Sequence, residues 1–230
     1  MSRSNFLARF SVVEEFIKRR KEFFENLVEE KELKTYFVNS NLTIIVFSAV
    51  YGATMGVYPG GPQVLYDAAK IPMLLLFSLY ITAPSFYVLS SLFGGKYSFS
   101  QVMILLLSSL TVMSTVLLAL VPLNLFFILT TANTTYSTYA FLVILNVAIF
   151  ALAGFFALEF LLRGFVTIYP GMSWIPAFFV GSIIFILVGT QLAWVLRPYF
   201  HYYPQFVRPV ENNFYIAMVE LIFRLIRGID

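Results

Sequence analysis

Few side chains in this sequence could do chemistry, and they are scattered. Glu159 and Arg163 lie four residues apart in one apolar run, Thr190 and Gln191 sit side by side in another, and Asn146 interrupts the first. His201, the single histidine, falls between Arg197 and Arg208, each of which precedes a proline. Without cysteine there is neither a thiolate ligand nor a disulfide. No Walker loop, HExxH, GxSxG or Cys/His cluster is present. The expectation is therefore a protein without catalytic, cofactor or metal residues. No basic stripe with interleaved aromatics points to nucleic acid.

Each of these residues has a definite physical reading. An unpaired amide in hydrocarbon costs roughly 2–7 kcal/mol, so Gln191 should meet another helix or a water-filled path. Candidate partners are Asn146, Ser109 and Thr115, and a hydrogen bond between spans contributes only about 0.6–2 kcal/mol. Glu159 is the one acid inside an expected span, which makes it a functional candidate. Its spacing from Arg163 also suits an i,i+4 ion pair. A histidine among tyrosines reads as an interfacial side chain. Trp194 belongs at headgroup level, Arg197 can snorkel to phosphate, and Pro198 ends the helix.

The elements that must position these residues follow from composition. The 230 residues are 60% hydrophobic and 12% charged, against about 25% charged in soluble domains. The class is an all-α polytopic membrane bundle of about five transmembrane helices, with amphipathic helices at both termini. A span needs roughly 20 apolar residues. Expected spans are Tyr36 or Leu42 to Tyr58, Ile71–Phe93, Val102–Val121, Ala140–Leu162 and Trp174–Leu196. Pro72 falls near the start of the second, and Pro84, midway along it, predicts a kink. "YPGGP" at 58–62 and "GGKYS" at 94–98 are turns. "LNLFFILT" after Pro122 either extends the third span or lies at the interface.

Three regions result: a cytoplasmic amphipathic segment 1–35, a transmembrane domain 36–196 and an interfacial aromatic and basic segment 197–230. In the first, Phe6, Phe10, Val13, Ile17, Phe24 and Val28 recur on one helical face. Trp174 and Trp194 anchor the last span at both ends. "NFYIAMVELIFRLIRGID" is too short and too charged to span and should lie in the interface. Gly52 and Gly56 form a small-residue pattern for close helix contact. Asn133 opens a glycosylation sequon. Placing the N-terminus in the cytoplasm puts ten Lys/Arg inside and five outside, the favoured bias.

Three resemblances bear on function. "ALEFLLRGF" at 157–165 resembles the E-E-x-x-x-R motif of intramembrane CAAX-processing proteases, but Leu158 replaces the first acid and no later span carries histidine. "GTQLAWVLRPYF…FVRPVENNFY" at 189–215, with "KIPMLLLFSLYITAPSFYVLSSLFGG" at 70–95, resembles a family of bacterial multispanning membrane proteins with no established activity. That resemblance implies a bacterial inner membrane. The five-span plan is similar to the Yip family. The leading expectation is a non-enzymatic membrane subunit or adaptor, with membrane lipids, other membrane proteins or a second copy as partners. The alternative is a small channel or transporter with a polar site around Gln191 and Glu159.

Overall fold

The computed structural model describes residues 10–131, 136–168, 174–201, 205–209 and 213–227. Among them are nine helices and no strand. In chain order these are α1 (Ser11–Lys18), α2 (Arg20–Val28), α3 (Leu33–Gly56), α4 (Gln63–Leu92), α5 (Phe99–Ala119), α6 (Val121–Thr130), α7 (Tyr136–Ile168), α8 (Trp174–Val195) and α9 (Phe214–Arg227). Five of these, α3, α4, α5, α7 and α8, are long and apolar enough to cross a membrane. The chain is an integral membrane protein.

Burial ranks the spans. In its most apolar window α5 is 78% buried, whereas α8 is 17% buried. So α5 is the axis of the bundle and α8 faces lipid. A capping box starts α5: the Ser98 side chain accepts from Gln101 N–H, and Gln101 returns the bond to Ser98 N–H. Along α5, Ser108, Thr111, Ser114 and Thr115 donate to carbonyls of their own helix. Ser109 instead reaches across to the Ala157 carbonyl of α7, at 2.7 Å.

Lipid is as apolar as leucine, so helices in it associate through close packing rather than burial. The α3–α4 pair shows how. A Cβ added at Gly52 would lie 2.2 Å from the Asp67 carbonyl oxygen, and one at Gly56 would lie 2.5 Å from Val64 Cα. The small-residue pattern thus serves contact within one chain. Gly181 of α8 rests on the Phe86 ring of α4 in the same manner. The turn between α3 and α4 uses Gly60 and Gly61 at φ of 73° and 60°, where a side chain would be strained.

The N-terminal segment packs on the bundle. Val12, Phe16, Phe23, Phe24 and Leu27 are buried, with Phe16, Phe23 and Phe24 against Phe160. The expected face is met only in part: Phe24 is buried, but Ile17 and Val28 are exposed, at 46% and 44%. The reason is Arg19, whose backbone (φ −116°, ψ 37°) breaks the run into two helices and resets the periodicity. Gln101 Nε2 donates to the Leu27 and Val28 carbonyls and so closes the end of α2.

Other boundaries shift as well. The second span begins at Gln63 rather than Ile71, so Pro72 and Pro84 are both interior to a continuous helix. Pro72 is buried and Pro84 points outward. The stretch after Pro122 is a separate helix, α6, following non-helical Leu120. The sequon at Asn133 and the expected Phe6 position lie outside the described residues.

Candidate functional site

Helix α4 packs with α8, and α5 with α7, but α7 and α8 barely touch along their lengths. The opening between them is a cavity of about 1580 Å³, larger than the roughly 300–1,000 Å³ of ordinary ligand pockets. Its walls are apolar side chains such as Leu75, Leu79, Leu110, Val147 and Phe185. On α4 the lining runs from Ile71 to Phe86, about 22 Å at 1.5 Å per residue. That exceeds half of the ~30 Å hydrocarbon core. Inside it, Ser182 Oγ is buried and has no hydrogen-bond partner among the described residues. Helix α9 bridges the opening: it touches both α7 and α8, and Phe214 and Met218 reach the cavity. Tyr215 OH meets Thr190 Oγ1 at 2.9 Å.

The mouth lies at the end of the bundle away from α1 and α2, here the distal face. It is rimmed by Tyr136, Tyr139, Trp194, Arg197, His201 and Arg208. Arg197 stacks on the Trp194 ring, with Cζ 3.6 Å from the centroid. Arg208 N–H donates to the Arg197 carbonyl at 3.0 Å, and Arg197 Nη2 donates to the Pro209 carbonyl at 3.4 Å. The two Arg-Pro pairs, eleven residues apart, therefore lie side by side. The Arg197–Pro198 peptide is cis. Tyr139 is within electrostatic reach of both arginines.

A buried polar cluster holds this strap down. Gln63, Asp67 and Lys70 follow one face of α4 and are all 0% exposed. Gln63 Nε2 donates to Asp67 Oδ1 at 2.8 Å and to the Pro198 carbonyl at 2.7 Å. Lys70 Nζ donates to the same carbonyl at 2.6 Å and lies 3.5 Å from Asp67 Oδ1. The Tyr199 and Phe206 rings face the ammonium at 5.5 and 5.3 Å. Burial, and then the Asp67 carboxylate, raises the Tyr199 hydroxyl above its ordinary pKa. It stays a neutral donor to the Ala193 carbonyl, at 3.1 Å. This cluster escaped the sequence reading, which began the span after Lys70. Its signal was the i, i+4, i+7 spacing in "QVLYDAAK".

The other expected residues separate into different places. Asn146 lines the cavity wall but is bound into a network: Tyr51 OH donates to it at 2.6 Å, and its amide donates to Asn124 Oδ1 at 3.1 Å. Asn124 in turn donates to Thr54 Oγ1 at 3.0 Å. Glu159 and Arg163 pair at the opposite end of the bundle, where Glu159 also meets Arg20 Nη1 at 3.4 Å. Neither lines the cavity, though Leu158 does. Among the described residues no group of His, Cys, Asp or Glu is placed to hold a metal. Trp174 opens α8 and meets Phe178 edge-on at 6.2 Å.

Gln191 is half-exposed, lies off the cavity lining and has no hydrogen-bond partner among the described residues. Its expected partners are engaged elsewhere. The amide is half-exposed one turn before the end of α8, about 6 Å from it, so it is not sealed within the bundle. Thr190, beside it, is the residue that meets the cavity. A bilayer-spanning helical protein with a deep, laterally gapped, basic-rimmed cavity is thus defined. Compared with protein-family models, curated proteins and solved structures, the chain finds no match.

Proposed function

We propose that this protein binds a lipid-class amphiphile inside the bilayer and carries it between the membrane and the distal face. The carrying observation is the apolar cavity of about 1580 Å³ between α4, α5, α7 and α8. A solute channel would need a polar path, whereas these walls suit a hydrocarbon tail. The gap between α7 and α8 supplies a lateral entrance from lipid, and α9 is the element that covers it. The transporter expectation is thereby moved from Gln191 and Glu159 to the cavity and its rim. The adaptor expectation has less support, because the apolar face of α1 and α2 is taken up by the chain's own bundle. The excess of Lys/Arg at the N-terminal face favours a cytoplasmic N-terminus, and the tail resemblance favours a bacterial inner membrane.

The test is to extract the protein from its native membranes in mild detergent and quantify solvent-extractable lipid per mole of protein. One tightly held amphiphile per chain, surviving exhaustive detergent washing, is expected. Protein that washes free of lipid while remaining folded would remove the reading.

A further inference from the structure

We propose that the amphiphile has two hydrocarbon chains, lying side by side in the cavity. This rests on the amphiphile reading above and names its ligand class. Length comes first. The lining of α4 from Ile71 to Phe86 extends about 22 Å at 1.5 Å per residue. An extended zigzag chain advances about 1.2 Å per bond, as a polypeptide does, so a chain of about sixteen carbons fills that depth. Width comes second. A methylene takes about the room of a water molecule, roughly 30 Å³, so one such chain occupies about 500 Å³ and two about 1,000 Å³. The cavity is about 1580 Å³. One chain leaves most of it empty, and a lining without partner atoms forfeits its dispersion contacts. Two chains fill the greater part and leave room for the group that joins them and the head.

The walls suit two chains. Helices α4 and α8 form one packed pair and α5 and α7 another, and the cavity lies between the pairs. Leu75, Leu79 and Phe185 line the first side, and Leu110, Met113 and Val147 line the second. Each chain thus has an apolar wall of its own and touches the other chain along the midline. The entrance agrees. Every methylene that leaves hydrocarbon for water costs free energy, so a second chain doubles the penalty for a route through the aqueous mouth. The gap between α7 and α8, which barely touch, lets both chains slide in sideways without leaving hydrocarbon. A single-chain amphiphile escapes into water far more readily and needs no such opening.

The experiment adds dipalmitoyl phosphatidylcholine and palmitoyl lysophosphatidylcholine, which share head and chain, to purified full-length protein in micelles and reads bound mass by native mass spectrometry. Added separately, the diacyl lipid should saturate at one per protein molecule and the lysolipid at two. Added together at equal concentrations of hydrocarbon chain, the diacyl lipid should be enriched about tenfold, equivalent to about 1.4 kcal/mol. Val147→Trp, which narrows the α7 side, should lower the lysolipid count to one and abolish the enrichment. Two lysolipids still bound to a folded Val147→Trp would place the second chain outside the cavity and overturn the inference. Saturation of the wild type by one lysolipid, with no preference for the diacyl lipid, overturns the two-chain inference and leaves the amphiphile reading standing. Displacement of the diacyl lipid by an equimolar long-chain polyprenol overturns it in favour of one folded chain. The wild-type counts decide the matter even where the variant fails to fold. Absence of any bound lipid overturns both.

Discussion

Lys70 and Asp67 are the residues on which the strap depends. Both are fully buried, and their 3.5 Å pair is completed by the Pro198 carbonyl and two aromatic rings. Removing one partner of a buried pair leaves the other charge uncompensated, at a cost of about 3–5 kcal/mol, whereas replacing both is often near neutral. Lys70→Met should therefore lower the thermal midpoint in detergent sharply, and Asp67→Leu/Lys70→Met should recover most of the loss. Equal losses in the single and double variants would mean that the charges do not act as a pair. By contrast, Gln191→Leu removes a half-exposed amide that has no partner among the described residues. It should change unfolding free energy by less than about 0.5 kcal/mol. A large loss, measured by the same melt, would put Gln191 back among the interhelical contacts.

The residue scale is also where the sequence was least legible. Gln191 drew attention because it interrupts an apolar run, yet its depth in the bilayer, not its chemistry, decides what it costs. Asp67 and Lys70 drew none, because charges at the head of a span read as loop. Only the returning strap, more than 120 residues later, makes them interior. Arg197 and Arg208 were legible as a pair of Arg-Pro steps, but not their juxtaposition, which depends on one backbone hydrogen bond.

At the scale of elements, α3 and α4 meet through glycine. Gly52→Ala would place a methyl 2.2 Å from a backbone oxygen that has no side chain to move aside. The two helices must separate, at about 1–3 kcal/mol for overpacking. A lower thermal midpoint is the expected result, and an unchanged one would mean that the pair tolerates a wider spacing. The second element is α9. Its Tyr215 bonds Thr190 on α8, and the native chain has no cysteine to interfere. Linking Thr190→Cys to Tyr215→Cys with a short thiol cross-linker should slow exchange of labelled lipid several-fold. Exchange at the wild-type rate would show that lipid does not pass beneath α9. Five spans were readable from hydropathy alone. The break at Arg19 was not, since a single non-helical residue shifts the buried face of α1 and α2 without altering composition. The early start of α4 was hidden for the opposite reason: polar residues bonded to one another and to the returning Pro198 carbonyl can extend a helix beyond its apolar run.

At the scale of the whole molecule, the central claim is that the space between α7 and α8 is occupied by lipid. A bundle whose axis, α5, is buried and whose α8 stands against lipid leaves that space open by arrangement, not by the lack of any one side chain. Gly154 of α7 lines the cavity, and a Cβ there meets nothing within 4 Å. Gly154→Trp therefore directs an indole from an open backbone position into the tail site, and it relieves the helix of a poor helix former. The most direct measurement is the native mass of wild type and Gly154→Trp, purified side by side from the same membranes at matched thermal stability. The account predicts one retained amphiphile on the wild type and none, or a small residual fraction, on Gly154→Trp. The same bound mass on both proteins, or on neither, would contradict it.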